Sequence, residues 1–309
     1  MSGKQKEQTL YERGLNYIYN HYGQRLSDRH LVELRYRYTF HRPLHLDNPE
    51  SFTEKIQWLK LYDHNPLYHT MADKLKARSY VRERIGEQYL IPLLGEYDTA
   101  AEIDFAHLPE QFVLKCTHDS QSIVLCHNRD QLDPEATCAR MDRAMHTDYS
   151  IYGREWVYRG LEPKIIADPL LRDESGSELK DYKVFCFNGE PKVIELDYDR
   201  FAAHKRKLYT TDWEVMPLRI AFPDDPSVSI ERPQRLDELL CISRKLAAGT
   251  PFLRVDSYIT SDQIYFGEMT FYPDNGFGVF DPDRMDYEWG QWLTLPRRDE
   301  HTRTEQGME

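Results

Sequence analysis

At 309 residues the chain is long enough for one large or two to three modest domains and for a substantial buried core. Its formal charge of −12, from 52 acids against 40 lysines and arginines, argues against nucleic acid or an anionic membrane as a general partner. No apolar run approaches the ~20 residues that a membrane span needs. The opening MSGKQKEQTLYERG lacks a hydrophobic signal core, so the expected location is cytoplasmic. Five scattered cysteines (Cys116, Cys126, Cys138, Cys186, Cys241) form no CxxC pair and no zinc spacing, as free thiols in a reducing compartment would.

The front of the chain reads as helical. Residues 10–22 and 28–38 carry apolar side chains at helical spacing, and Ser51 with Glu54 matches the S-x-x-E capping box before KIQWLKLYD, with Ile56, Trp58 and Leu59 facing a core. A further helix is predicted over 71–85 with Gly86 as its stop, and its Lys74, Lys76, Arg78, Arg82 and Arg84 read as a solvated face. After Gly95 the pattern turns to short strands: 111–116 (QFVLKC), 122–126 (SIVLC), 164–170 (KIIADPL), 182–187 (YKVFCF) and 191–196 (PKVIEL), with a helix over 134–145 between the second and third. Asn188-Gly189 marks a tight turn, and residues 233–248 read as an amphipathic helix with Leu236, Leu239, Leu240, Leu246 and Ala247 inward, stopped by Gly249. A hairpin follows, then a terminal helix over 284–293 and a tail at 296–309 with no packing residues, expected to be disordered. The class is α+β with a helical front end.

The hairpin raises a chemical question. In PFLRVDSYITSDQIYFGEMTF, a three-residue turn at Ser261-Asp262-Gln263 sets Thr260 opposite Ile264 and therefore Asp256 opposite Glu268 and Arg254 opposite Thr270. Those four side chains then share one face, while Val255, Ile259, Met269 and Phe271 share the other. Opposed carboxylates repel, so the pair calls for a cation between them. A two-residue turn would break this register, and a half-solvated hairpin with chance acids is the plainer alternative. Lysines also recur in strand positions: Lys115, Lys164 and Lys183, the last with Asp181 two residues before it. Singly each reads as an edge lysine reaching solvent. Together with the acids and Arg254 they outline a site for Mg²⁺ and a polyphosphate.

In chain order, MADKLKARSYVRERIGEQYLIPLLG, LPEQFVLKCTH, PKIIADPLL, LKDYKVFCFNGEPKVI and RVDSYI…IYFGEMTF resemble the TupA-like branch of the ATP-grasp superfamily, which is associated with teichuronopeptide and surface-polysaccharide biosynthesis. The resemblance spans about residues 31–295. It implies an ATP-grasp fold of two α+β subdomains sandwiching ATP, at 96–175 and 176–295, behind a helical region at 1–95. It also implies ATP and Mg²⁺ as ligands, with Asp256, Glu268 and Thr270 on the metal. Lys115 would contact the α-phosphate and adenine edge, Ser120 and Ser122 lie in the phosphate-covering loop, and Asp168 stands where an acid meets the adenine amino group or ribose. The backbone at Pro169 and Leu170 would pair with the base, and Asp181 and Lys183 form the D-x-K in which the lysine faces the phosphates. The sequence departs from the family pattern in three places: the loop His118-Asp119-Ser120-Gln121-Ser122 has no glycine, Thr270 replaces an asparagine, and the hinge acid is the shorter Asp168.

The activity implied is ligation of a carboxylate to an amine through an acyl-phosphate, with Arg254 and Lys183 as catalytic groups and an amino acid and a sugar carboxylate as a candidate pair. Partners in that case are ATP, the two substrates and a glycan or lipid-linked glycan precursor, with no nucleic acid. Two other readings stand beside it. Asp197-Tyr198-Asp199 is a D-x-D of the kind that holds Mn²⁺ and a nucleotide sugar in glycosyltransferases, although a solvated turn beside Arg200 explains it too. The glycine-free loop also suits a non-catalytic ATP-grasp-like binding protein. The twelve histidines show no HExxH-type pair, and Cys116 and Cys186 read as small buried hydrophobes.

Overall fold

The computed structural model describes residues 25–119, 122–172, 179–198 and 204–297. The helix predicted over 10–22, together with Ser120, Asp199, Arg200 and the tail from 298, lies outside them.

Helix α1 (Asp28–Phe40) starts at Ser27, whose hydroxyl accepts from the His30 amide. Helix α2 (Phe52–Tyr62) opens on the capping box expected from the sequence: Ser51 accepts from the Glu54 amide and Glu54 accepts from the Ser51 amide. Almost all of α2 is buried, including Glu54 and Lys60, so its polar side chains need internal partners. The single helix expected over 71–85 is two, α3 (Leu67–Ala72) and α4 (Ala77–Arg84). Asp73 Oδ1 accepts from the amides of Leu75 and Lys76, both at 2.9 Å. That local turn competes with the helical ladder and breaks it.

Four antiparallel strands, β1 (Gly95–Tyr97), β2 (Phe112–Cys116), β3 (Ile123–Cys126) and β4 (Ile165–Pro169), form one sheet in the order β1-β4-β2-β3. Helix α5 (Pro134–Met145), capped by Asp133, closes a small core in which Met141, Phe112, Leu114 and Ile165 are fully buried. The short α6 (Ser150–Gly153) precedes β4.

The larger sheet contains β5 (Asp181–Phe187), β6 (Glu190–Tyr198), β7 (Lys205–Thr210), and after the two-residue β8 (Arg219–Ile220) and helix α7 (Leu236–Ala247), β9 (Phe252–Ile259) and β10 (Ile264–Thr270). Its order is β10-β9-β5-β6-β7. Strand β7 was not expected from the sequence. The β5–β6 turn places Asn188 at φ 50 and Gly189 at φ 84, the left-handed pair that matches strand twist. Helix α7 covers one face, burying Leu239, Leu246 and Ala247 against the side that carries Val184 and Val255. Each such leucine stabilises the fold by about 2 kcal/mol. On the opposite face Phe185, Phe187, Phe252 and Phe52 pack around Trp289 of α8 (Arg284–Trp292), which follows β11 (Phe280–Asp281). Asp286 of α8 binds the first turn of α2, accepting from Thr53 N at 2.8 Å and Thr53 Oγ1 at 2.6 Å, and thereby fastens the front-end helices to this sheet.

The hairpin register differs from expectation in one half. Ile264 lies opposite Ile259, not Thr260, so the connection is one residue longer than predicted. A β-bulge between Phe266 and Glu268 absorbs the extra residue, and beyond it Asp256 lies opposite Glu268 and Arg254 opposite Thr270 as the sequence suggested. The bulge falls at Gly267, where a Cβ would sit 3.0 Å from the Asp256 carbonyl oxygen.

Candidate active site

The free end of the same sheet face is polar and charged. Opposed residues on neighbouring strands share a face, so Glu268, Asp256, Lys183 and Glu195 form one row across β10, β9, β5 and β6. Asp181, Asp197 and Arg206 form the next across β5, β6 and β7. Each cation is held between acids. Lys183 Nζ is 2.6 Å from Asp197 Oδ2 and 3.0 Å from Asp181 Oδ2. Arg206 Nε donates to Asp197 Oδ1 at 2.8 Å, and its other nitrogens reach Glu195 and Asp274 at 3.1 Å.

Arg254 supplies the cation that the facing acids need. Its Nε and Nη2 grip both oxygens of Asp256 at 2.7 and 2.6 Å, and Nη2 also donates to Thr270 Oγ1 at 3.1 Å. Glu268 is different: its nearest cations are Arg254 at 3.7 Å and Lys74 at 3.9 Å, and its carboxylate accepts no hydrogen bond from a described residue. Burial moves the titrations as expected for this arrangement. It pushes Asp256 up to about 7 despite Arg254, and Glu195 up to about 7 despite Arg206. Burial also opposes charge on Lys183, yet Asp181, Asp256 and Asp197 outweigh it and hold the ammonium above its ordinary range. Asp197 is pulled well below the usual carboxylate range, because Lys183 and Arg206 overcome its desolvation.

Most of these groups, though not the buried Asp256 and Glu195, line a cleft of about 830 Å³, walled by Asp181, Lys183, Arg254, Glu268 and Thr270 on the sheet side, with Asp119 and Ser122 of the loop after β2 also on its wall. The second expected cluster lies apart from that lining. Lys115 Nζ is 3.0 Å from Asp168 Oδ2 across the small sheet, and the other oxygen of Asp168 is buried with no hydrogen-bond partner among the described residues. Pro169 ends β4 and Leu170 follows it; neither lines the cleft. In the loop, Asp119 accepts from the Ser122 amide at 3.2 Å and from its hydroxyl, so that amide is already engaged.

Three sequence readings need correction. Lys74 does not belong to a solvated face: its side chain is 12% exposed, and its ammonium binds the Asp119 carbonyl and faces Glu268. The break after α3 turns it inward. Lys183 is not an edge lysine reaching solvent but a buried member of a central strand. Asp197 is not in a solvated turn; it is 3% exposed and saturated by Lys183 and Arg206, which leaves it no role as a D-x-D metal ligand. Residues the sequence reading missed are Glu195 and Arg206, together with Lys60 and Glu155, which face each other beside the cleft. KRKLYT is buried on both faces and shows no alternation, so only the run Leu208-Tyr209-Thr210 hinted at β7. Glu155 sits in irregular chain with no such pattern.

Glu268, a carboxylate lacking hydrogen bonds, and the Thr270 hydroxyl share one wall and fit an oxygen-liganded cation such as Mg²⁺ completed by phosphate oxygens, while Asp256 lies behind them with both oxygens on Arg254. Among the described residues no three acidic, histidine or cysteine side chains form a metal cage by themselves.

Comparison with known proteins agrees with this architecture. The family model described as TupA-like ATPgrasp matches residues 54–294. No curated protein matches the chain. Among solved structures, D-alanine–D-alanine ligase from Bacillus anthracis in complex with ATP is 15% identical, with 65% of this chain and 54% of that chain covered and a TM-score of 0.37. The ATP-grasp ligase PsnB with its minimal precursor is 12% identical, with 80% and 66% covered and a TM-score of 0.38. A RimK domain ATP-grasp protein from Sphaerobacter thermophilus is 12% identical, with 73% and 67% covered and a TM-score of 0.38. The chain thus spans from about half to two thirds of the length of these proteins. By the match over residues 54–294, the chain belongs to the TupA-like ATP-grasp family.

Proposed function

We propose that the protein is an ADP-forming ligase that joins a carboxylate to an amine at the expense of ATP and Mg²⁺. The observation that carries the reading is the row Glu268–Asp256–Lys183, a buried lysine directly beside two opposed carboxylates, in which Lys183 and Glu268 reach the wall of a large cleft. The carboxylate oxygen attacks the γ-phosphorus, ADP leaves, the amine attacks the acyl carbon and phosphate departs. Lys183, held positive by its three acids, binds and neutralises phosphate oxygens. Asp256, Glu268 and Thr270 would hold Mg²⁺, which offsets charge on the phosphoryl group when bound. Arg254 keeps Nη1 uncommitted to any described residue, and that donor stabilises the oxyanion at the acyl carbon. Lys115 and Asp168 would receive the adenosine end; the open Asp168 oxygen suits an amino or hydroxyl donor. Pro169 and Leu170 offer backbone beside it, with Ser120 and Ser122 closing over the phosphates once Asp119 lets go of the Ser122 amide. The subdomain division at 95, 175 and 295 goes with this reading.

For the substrates we propose an amino acid and a sugar carboxylate of a surface-polysaccharide precursor, handled in the cytoplasm where ATP is supplied. Its support is the cleft itself, wide, polar and bordered by Tyr149, Tyr158 and Tyr272, whose rings suit a saccharide. Among the described residues no helix is long and apolar enough to cross a membrane. The test is to incubate protein, ATP and Mg²⁺ with ¹⁸O-labelled carboxylates, both amino acids and uronic acids, in the presence of hydroxylamine. Phosphate carrying one ¹⁸O from the carboxylate is expected. ADP formed with unlabelled phosphate, or no ADP with any acid, contradicts the ligase.

A further inference from the structure

Glu155, outside the sheet and outside every family motif, stands in the cleft under unusual conditions. It is 5% exposed, it lines the cleft that contains Arg254 and Glu268, and its carboxylate accepts no hydrogen bond from a described residue. Its oxygens are not among the sealed, unpartnered atoms of the interior, so the carboxylate is open to a donor that enters the cleft. Nearby cations do not close on it. Lys60 Nζ spends its protons on Gly153 O at 3.2 Å, Asn275 O at 2.7 Å and Asn275 Oδ1. With all three protons matched to oxygens, Lys60 is committed to holding the wall, and Glu155 remains an acceptor without a donor. The wall is shaped for this: Gly153 has no side chain, and a Cβ there would lie 2.8 Å from Glu155 Oε2 and collide with Asn275.

We propose that Glu155 is the amine subsite of the ligase: it receives the ammonium group of the nucleophile and removes its proton. The inference rests on the ligase reading above. In the step, the carboxylate takes one proton from R–NH₃⁺, and the freed nitrogen lone pair forms the bond to the acyl carbon. The C–O bond to phosphate breaks, and the amide nitrogen and Glu155 each give their surplus proton to phosphate and solvent. An acid of ordinary strength would bind the ammonium but take its proton poorly; burial corrects this by pushing Glu155 up to about 7, against the pull of Lys60 on α2, Arg35 on α1 and Arg254 on β9. The same desolvation lowers Lys60, against the pull of Glu155. Tyr158 and Tyr272 complete the groups facing Glu155; both are driven well above their ordinary range by burial, so they stay protonated and do not compete as bases.

The test compares two small nucleophiles on wild type and Glu155→Gln, with the carboxylate that performs best in the ¹⁸O experiment. Hydroxylamine is already unprotonated at neutral pH, whereas ammonia is present mainly as ammonium. Loss of a general base is expected to lower the ammonia-to-hydroxylamine rate ratio by about 100-fold at pH 7. The wild-type ammonia rate is expected to level off above neutral pH, and the variant's to keep climbing with free ammonia. An equal fall with both nucleophiles makes Glu155 a structural or phosphoryl-transfer residue and overturns the proposal, as does an unchanged ratio. If Glu155→Gln does not fold, the wild-type profile decides: an ammonia rate that climbs with free ammonia without levelling above neutral pH overturns the proposal. Failure of wild type to form hydroxamate from any acid overturns the ligase itself, a result distinct from loss of the ratio.

Discussion

Asp197→Asn tests the charge network most severely without touching the cleft's open carboxylate. Asp197 and Lys183 are 2.6 Å apart with side chains 4% and 7% exposed, and the same aspartate accepts from Arg206 Nε at 2.8 Å. Removing one partner of a buried pair costs about 3–5 kcal/mol. Here both cations keep other acids, Asp181 for Lys183 and Glu195 with Asp274 for Arg206, so the lower end applies, about 3 kcal/mol. For a chain of 309 residues that corresponds to a fall in Tm of roughly 5 °C. The sign with pH follows from Asp197 lying below its ordinary range: its contribution is complete above the unfolded carboxylate pKa and is lost as pH falls through the folded one. Scanning calorimetry at pH 7 is therefore expected to show the full gap between wild type and variant, and the gap is expected to narrow below about pH 4. A Tm within about 2 °C of wild type at pH 7, or a gap of constant size down to acid pH, would refute the assignment of Asp197 as the network's structural counter-ion.

Other perturbations separate structure from chemistry. Glu268→Gln is expected to change stability by less than about 1 kcal/mol in urea unfolding, because its ion pairs are long and its side chain is 32% exposed. Gly267→Ala puts a Cβ against the Asp256 carbonyl at the bulge; a loss of about 1–3 kcal/mol is expected by the same assay. Asp256 and Glu195 both titrate near 7 against ordinary values near 4, so each favours the folded state below the ordinary value and loses that contribution as pH rises through about 7. Arg254→Met and Arg206→Met should each move that loss to higher pH, seen as a Tm-against-pH curve displaced upward in pH.

The elements were legible wherever one local rule fixed them. Ser51 with Glu54, Asn188-Gly189 and the alternation in DYKVFCF each tie a few neighbouring residues to one conformation. Non-local competition hid the rest. Asp73 breaks a helix whose apolar spacing continues through it, and only the packing shows that Lys74 turns inward to Asp119. The hairpin shows how a right pairing can follow from a wrong turn: the longer connection and the Gly267 bulge cancel, so Asp256 still meets Glu268. A sequence also gives no measure of desolvation. Asp197 read as a surface acid because its neighbours in the chain are polar, while the partners that bury it lie 14 and 9 residues away on adjacent strands. Glu155 has no periodic context at all, and its isolation emerges only once Lys60 is seen bound elsewhere.

The most direct test of the central claim is calorimetric titration of the wild-type protein with a non-hydrolysable ATP analogue, with and without Mg²⁺, beside Glu268→Gln. Micromolar binding that requires Mg²⁺ is expected, weakened at least tenfold in the variant, about 1.4 kcal/mol. Absence of binding by folded wild type, or binding indifferent to both Mg²⁺ and Glu268, would contradict it.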